Sequence, residues 1–333
     1  FEDVEEFLEN KDIEAAAGVP VPYPDLHRIY GGYRQGNVYA YVSRSGEGKS
    51  TLLCDIGKRI AMTGIPFLIC DTEMLTSEVE ERLVAAETGV PLNAIVEGWF
   101  RFVPEYAQKV RSSYARLKTL PFYHYHVGNK SVNEVASIIR RWRYAKAGRD
   151  KRAVGCYDYF KLTNEKLGQG FLETQLIGSK VNVIKDLASE LQLPMLSAMQ
   201  LNRSGENFAR KAADVTDDSS AISTSDRLLW FCSYVGIFRR KTLDEQSLDT
   251  PQFGTHKLIT LKARTQGKDA PGHQDFVVRQ LDKDTKQYMR NYLNFEVANF
   301  SVNPKGTAND VISFLNLTAG LKSDNSSDNQ QLV

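Results

Sequence analysis

Lys49 and Ser50 stand at the end of a glycine-containing turn whose residue types suit the binding of a phosphate chain. Residues 43–50 read Ser-Arg-Ser-Gly-Glu-Gly-Lys-Ser. Gly46 and Gly48 allow the backbone to fold around phosphate oxygens and to point its N–H groups at them. The Lys49 ammonium would reach the β- and γ-phosphates of ATP, and the Ser50 hydroxyl would ligate Mg²⁺. The spacing therefore predicts a phosphate-binding loop.

The sequence on both sides of this loop predicts the strand and the helix that must hold it. Residues 37–42 form a short apolar, β-prone run, and apolar side chains recur at helical spacing over residues 52–60. The N-terminus of that helix would add partial positive charge beside the phosphates. A strand–helix turn without a ligand is the alternative, but this order of elements is the context that the motif requires. The predicted nucleotide-binding residues are Ser43, which replaces the usual first glycine, Arg44, Ser45, Gly46, Glu47, Gly48, Lys49, Ser50 and Thr51.

Acidic side chains follow two further predicted strands. The second strand runs into Cys-Asp-Thr-Glu at residues 70–73, and the third ends in Asp158 after a largely apolar run. Because ligands bind at the carboxyl ends of strands in an open parallel sheet, we expect Glu73 near the γ-phosphate, where it would polarise the attacking water. Asp71 is its nearby competitor, and Asp158 is expected to hold Mg²⁺ through water. Each acid alone could be a solvated loop residue.

Two later strands end in polar or basic side chains. Gln200 ends the fourth predicted strand, where it could contact the γ-phosphate and report its presence; an ordinary polar loop is the alternative. Lys262 and Arg264 lie two residues apart on a later strand and so share one face. We expect them to serve the ATP of a neighbouring subunit, which implies a ring or a filament. Solvated charges on an edge strand are the alternative.

The predicted elements alternate along the chain. The strand candidates are residues 38–42, 66–70, 153–157, 194–198, 228–238 and 256–262. Helical stretches at residues 76–88, 132–147 and 172–191 separate the first four strands. This alternation predicts an α/β fold with a mostly parallel sheet covered by helices. The later strands, up to Phe295, follow one another closely, which predicts antiparallel pairing at one edge.

The composition sets broad limits on the protein. The 333 residues suffice for one large α/β domain or two small ones, and a net charge of +1 excludes a strongly basic surface but not a local basic channel. The four cysteines lie in apolar stretches without metal-like spacing, which predicts reduced core thiols in a cytosol-like compartment. No apolar run reaches membrane-spanning length, and no signal peptide is recognisable.

The two ends of the chain have patterns of their own. Residues 1–20 are interpreted as a linker helix and linker, with Phe1, Val4, Phe7 and Leu8 on one side of the helix. Such a short helix is marginal alone, so we expect it to dock on a neighbouring subunit; packing on its own domain is the alternative. A motor domain is predicted over residues 21–298, and a partly disordered tail over residues 299–333. Because the chain begins with phenylalanine, we expect residues upstream.

Taken together, these motifs resemble the motor domain of DnaB-type replicative helicases, a RecA-like hexameric family of bacteria and bacteriophages. The resemblance spans roughly residues 21 to 295, and five ordered motifs at family-like distances make it specific. It rests on residues 23–36, 43–50, 71–74, 80–85, 158–162, 200–203 and 262–264.

The resemblance implies a RecA-like three-layer α/β/α domain that uses ATP and Mg²⁺. It implies a homo-hexamer that encircles one DNA strand and moves 5′→3′, with catalytic roles for Glu73, Lys49, Gln200, Arg264 and Lys262. A primase and a helicase loader are the implied partners, without a membrane. Loops over residues 163–175 and 207–226 would face single-stranded DNA, although the second carries few cations, which suggests a phage version. The candidate DNA-binding residues are Lys161, Lys166, Arg203, Arg210, Lys211, Ser219 and Ser220.

Two other functions compete with this interpretation. A RecA- or RadA-type recombinase shares the core but lacks the Gln-Leu-Asn-Arg and Lys-x-Arg arrangement of residues 200–203 and 262–264. A non-hydrolysing adaptor would use the fold only for binding, and the intact Lys49, Glu73 and Asp158 argue against it.

Overall fold

The computed structural model describes residues 4–5, 18–160, 173–200, 229–265, 276–280 and 285–328. Most of the predicted linker helix therefore lies outside the described residues. The same holds for all candidate DNA-binding residues, which are Lys161, Lys166, Arg203, Arg210, Lys211, Ser219 and Ser220.

A nine-stranded sheet forms the centre of the fold. Its strands are β1 (Val38–Ser43), β2 (Phe67–Asp71), β3 (Phe122–His126), β4 (Val154–Asp158), β5 (Met195–Gln200), β6 (Tyr234–Arg240), β7 (His256–Ala263), β10 (Tyr292–Ala298) and β11 (Ser301–Thr307). The spatial order is β11-β10-β7-β6-β1-β5-β4-β2-β3. The six strands from β6 to β3 run parallel, whereas β7, β10 and β11 are added antiparallel. Strands β8 (Phe276–Gln280) and β9 (Lys286–Arg290) form a separate antiparallel pair.

Helices cover both faces of this sheet. The described helices are α1 (Pro24–Tyr30), α2 (Lys49–Met62), α3 (Thr76–Thr88), α4 (Leu92–Val96), α5 (Pro104–Leu117), α6 (Val132–Trp142), α7 (Glu173–Glu190), α8 (Leu243–Asp249) and α9 (Ala308–Asp328). Successive side chains of a strand point to opposite faces. Val38, Ala40 and Val42 of β1 accordingly pack into a core with α6 and α7, while Tyr39 and Tyr41 pack into a second core with α1 and α2. The predicted three-layer α/β/α class is confirmed.

Three elements differ from the sequence prediction. The sequence predicts no strand at β3, an edge strand whose Phe-Tyr-His-Tyr-His residues are only partly buried and lack a clear apolar pattern. The strand predicted at residues 228–238 begins only at Tyr234, because residues 229–231 are helical.

The third difference is at the C-terminal end, where the sequence predicts a tail from residue 299. The structure has β11 and α9 there instead, and β11 pairs with β10 in the main sheet. The apolar pattern fades because β11 is an outer strand, in which Val302 is fully buried but residues 303–305 are exposed. The boundary expected at residue 298 therefore cuts through the sheet.

Two expectations from composition can be compared with the structure. All four cysteines are buried and unpaired, as predicted for core thiols. Among the described residues, no helix combines the length and the apolar character needed to cross a membrane.

Candidate nucleotide-binding site

The predicted phosphate-binding loop joins β1 to α2. Gly46 has φ +79° and Gly48 has φ +87°, a left-handed region that side-chain-bearing residues rarely adopt. A Cβ atom on Gly46 would meet nothing within 4 Å, so the backbone conformation alone explains this glycine. The Arg44 N–H donates to Glu47 Oε2 at 3.2 Å and closes the turn. Helix α2 then begins at Lys49, and its first N–H groups, which lack intrahelical acceptors, form an anion-binding end.

The strand register brings the other predicted groups to the same edge of the sheet. Ser43, the last residue of β1, is paired with Gln200, the last residue of β5. Asp71 of β2 is paired in the same way with Asp158 of β4. Glu73 follows two residues after Asp71. The structure thus gathers the loop, both acids expected to act in hydrolysis and the candidate sensor at the carboxyl ends of the parallel strands.

Asp71 shapes the turn that carries Glu73. Its Oδ1 accepts hydrogen bonds from the N–H groups of Glu73 at 2.7 Å and Met74 at 2.8 Å. Asp71 is buried, whereas the Glu73 side chain is exposed. Because an oxygen of Asp71 is already engaged and its side chain is enclosed, the geometry favours Glu73 over Asp71 as the group that activates water.

Two histidines of the edge strand β3 brace this turn, and the sequence analysis missed both. His124 lies with Nδ1 2.9 Å from Thr76 Oγ1 and Nε2 3.8 Å from Asp71 Oδ2. The Nδ1 atom of His126 lies 2.9 Å from the carbonyl oxygen of Met74. Their alternation along residues 122–126 is the signal that could have indicated an edge strand facing the site.

Asp158 occupies an unusual environment for a carboxylate. It is only 1% exposed, and within the described part of the chain neither carboxylate oxygen has a hydrogen-bond partner of good geometry. Burial, followed by the negative charge of Asp71, raises the pKa of Asp158 to about 7, although the nearby Ser50 hydroxyl and Lys49 ammonium act in the opposite direction. A buried carboxyl group with unsatisfied oxygens beside a serine hydroxyl fits the expected Mg²⁺ site.

The donor set suits a shared metal site rather than a closed one. The described residues contain no cluster of three or more histidine, cysteine or acidic side chains placed to hold a metal. Mg²⁺ commonly takes one or two carboxylates, several waters and the phosphates of the substrate. Ser50 and Asp158 together are therefore sufficient protein ligands for a metal that arrives with ATP.

Tyr159, to which the sequence analysis gives no role, connects two of the charged groups. The Lys49 side chain is buried, and its Nζ lies 3.7 Å from the centre of the Tyr159 ring. Burial, the charge of Glu73 and a hydrogen bond to Glu73 raise the pKa of Tyr159 to about 12. The only signal in the sequence is an aromatic residue directly after the acid of the third predicted strand.

Lys262 and Arg264 lie at the opposite edge of the sheet. The Arg264 N–H donates to the Ser233 carbonyl, and the Ser233 N–H donates to the carbonyl of Val38, the first residue of β1. The phosphate-binding loop begins after Ser43, the last residue of the same strand. At about 3.3 Å per residue, roughly 16 Å of strand separate Arg264 from its own loop. The structure therefore does not bring these two cations to the site formed by their own subunit.

A third cation, Lys185 of α7, joins Lys262 and Arg264 at this edge. Each of the three donates to a backbone carbonyl, from Lys185 to Gly36, from Lys262 to Leu229 and from Arg264 to Trp230. Burial and then the charge of Arg264 lower the pKa of both lysines. The sequence analysis missed Lys185 because one lysine in an amphipathic helix normally indicates a solvated face.

A phosphate-binding loop on the central strand of a parallel sheet, with antiparallel strands added at one side, defines a nucleotide-binding domain of RecA-like fold. More particularly, the chain belongs to the family described as DnaB-like helicase C terminal domain, whose profile matches residues 18–268.

Curated relatives are similar to part of the chain and longer than it. The replicative DNA helicase DnaB of Leifsonia xyli subsp. xyli (strain CTCB07) is 27% identical over 259 residues, which cover 74% of this chain and 51% of the relative. A probable plasmid replicative DNA helicase of Chlamydia trachomatis is 27% identical over 223 residues, 64% of this chain and 46% of that protein. The chain thus spans about half the length of these relatives.

Solved structures share the fold. One is a DnaB-like replicative helicase described with its interactions with primase, at a TM-score of 0.70 and 19% identity over 90% of this chain and 66% of that chain. Another is described as the ATPase domain of a larger protein, at a TM-score of 0.69 and 19% identity over 90% of this chain and 95% of that chain.

Proposed function

We propose that this chain is the motor domain of a replicative DNA helicase that hydrolyses ATP, moves 5′→3′ on single-stranded DNA and unwinds duplex DNA at the replication fork. The observation that carries the proposal is the common edge of the sheet at which Lys49, Glu73 and Asp158 meet. Family membership supports the same function, since the curated relatives carry the name of replicative helicases.

The residues of this edge divide the work of hydrolysis. The loop N–H groups and Lys49 bind the phosphates of ATP, while Ser50 and Asp158 would hold Mg²⁺, which neutralises charge on the phosphates when bound. Glu73 orients the attacking water and accepts its proton. Gln200, which is paired with Ser43, is close enough to the loop to respond to the γ-phosphate.

The opposite edge of the sheet supplies the groups that act between subunits. Lys262 and Arg264 are too far from their own loop to reach its phosphates, and each donates to a backbone carbonyl of its own subunit. In a closed ring, this edge would face the ATP site of the next subunit. We therefore propose a homo-hexamer in which Arg264 and Lys262 complete the neighbour's site.

The partners are proposed from the family. Single-stranded DNA would pass through the ring and contact the predicted loops at residues 163–175 and 207–226. A primase is proposed as a partner because one structural neighbour is described with its interactions with primase, and a helicase loader is proposed with it. Residues 1–16 would dock on the neighbouring subunit, and the protein would act in the cytoplasm of a bacterium or a phage-infected host.

An ATPase assay with and without single-stranded DNA tests this proposal. Glu73→Gln should still bind ATP but lose about a hundredfold or more in turnover, because the amide cannot accept a proton from water. Glu80→Gln, a change of an exposed acid on α3, is the matched control and should hydrolyse ATP normally. Turnover of Glu73→Gln near that of the control would contradict the assignment and transfer the role to Asp71.

A further inference from the structure

Tyr159 contacts two charged groups on which the proposed hydrolysis depends. The Lys49 ammonium lies 3.7 Å from the centre of its ring. Its hydroxyl forms a hydrogen bond with Glu73. The ring itself is half-buried and packs against the core that contains α2, so its position is fixed by the fold. One rigid side chain thus holds the phosphate-binding cation and the water-activating carboxylate together.

These contacts compete with the working positions of both groups. Lys49 must extend toward the β- and γ-phosphates, yet its ammonium is held over the ring, and a cation–π contact is stronger when the cation is desolvated. Glu73 must turn toward the attacking water, yet its carboxylate is engaged by a charge-assisted hydrogen bond, one of the stronger kinds. The observed arrangement is therefore a resting one.

The backbone at Tyr159 links this arrangement to the rest of the chain. The Tyr159 N–H lies 3.4 Å from Thr72 Oγ1, and the Thr72 N–H donates to the carbonyl of Asp158 at 2.7 Å. Phe160 donates its N–H to a carbonyl of β5 at 3.2 Å. The segment predicted to face DNA, residues 163–175, follows almost directly. A change in that segment would act first on Phe160 and Tyr159.

We propose that Tyr159 is a positioning residue that holds Lys49 and Glu73 in a resting arrangement until single-stranded DNA binds. The inference rests on the proposed function, because it assumes that Glu73 activates water and that residues 163–175 contact DNA. Its content goes further: it assigns to one tyrosine the low rate of hydrolysis in the absence of DNA.

Tyr159→Phe is the first test, because it removes the hydroxyl and keeps the buried ring. Without DNA, kcat for ATP hydrolysis should rise about three- to tenfold, the effect of losing one hydrogen bond. With DNA, kcat should change by less than about twofold, so the stimulation by DNA should shrink by the same factor. KM for ATP should stay the same, since the ring still holds Lys49. A DNA-free kcat that stays unchanged or falls would overturn the proposal.

Tyr159→Leu tests the ring separately. It should reproduce the rise in DNA-free kcat and also lower KM for ATP relative to Tyr159→Phe by about two- to fivefold, because Lys49 no longer has to leave an aromatic face. A higher KM would mean that the ring helps Lys49 to bind phosphate, contrary to the proposal. Tyr144→Phe, a change at a tyrosine that is 53% exposed and distant in sequence from the site, should match the wild type in every respect.

Wild-type protein and Glu73→Gln in the same assay separate this inference from the function on which it rests. If the wild type does not hydrolyse ATP, or if Glu73→Gln is as active as the wild type, both proposals fail together. If these two behave as expected and Tyr159→Phe keeps the full stimulation by DNA, only the role of Tyr159 is refuted.

Discussion

Replacing Arg264 by alanine should remove ATP hydrolysis in the assembled protein and leave ATP binding by each subunit intact. Arg264 is aligned with the first residue of β1, and the phosphate-binding loop begins after the last. This separation of roughly 16 Å along the strand exceeds the span of an arginine side chain. A guanidinium that stabilises the transferring phosphoryl group is worth about 10³- to 10⁵-fold in turnover, and the loss should fall in that range.

Mixing two inactive variants distinguishes a contact between subunits from one within a subunit. Arg264→Ala subunits keep Glu73, and Glu73→Gln subunits keep Arg264. In a random mixture of equal parts, about one interface in four joins an intact Glu73 to an intact Arg264 of the next subunit. Independent sites should therefore recover about a quarter of the wild-type turnover. Lys262→Ala should show a milder form of the same pattern.

The mixing experiment has a clear refuting result. If native mass spectrometry demonstrates mixed assemblies and no activity returns, then either Arg264 acts within its own subunit or all sites must fire in sequence. Titration of Arg264→Ala subunits into wild-type protein separates these cases, because obligate sequential firing predicts a loss of activity steeper than the fraction of variant. A linear loss without complementation would refute the proposed contact between subunits.

Three further predictions follow from the same site. Lys49→Ala should abolish tight ATP binding, since no other cation occupies that point of the loop; unchanged binding in a calorimetric titration would refute the loop assignment. Asp158→Asn should lose Mg²⁺-dependent hydrolysis yet raise the melting temperature of the nucleotide-free protein. The folded-state pKa of Asp158, about 7 against an ordinary 3.8, destabilises the fold increasingly between pH 4 and 7. This effect, on the order of 4 kcal/mol above pH 7, should be absent below pH 4, and thermal melts across that range would detect it. Deleting residues 1–16 should weaken assembly but leave the domain folded; unchanged assembly in analytical ultracentrifugation would mean that the helix packs on its own subunit.

The parts of the fold that the sequence predicts are those with strong local patterns. Strands β1, β2, β4 and β5 are buried on both faces, so their continuous apolar runs mark them clearly. The outer strands β3 and β11 are partly exposed, and their mixed sequences carry no such signal. Their place in the sheet depends on pairing with distant residues, which no local pattern encodes.

The candidate site divides in a similar way. Lys49, Glu73 and Asp158 are predictable because each follows a recognisable strand or opens a helix. Tyr159 and Lys185 are not, because their importance lies in which side chains and carbonyls they meet across the fold. The location of Arg264 at the far edge of the sheet also comes from the antiparallel pairing of β7 with β6, although its action on a neighbour was expected from the sequence.

The most direct test of the account is the native mass of the protein with a non-hydrolysable ATP analogue and single-stranded DNA. A motor whose sites are completed by Arg264 of the next subunit must assemble, and the account predicts a mass of six chains bound to DNA. A protein that remains monomeric under these conditions, although it binds the analogue, would contradict it.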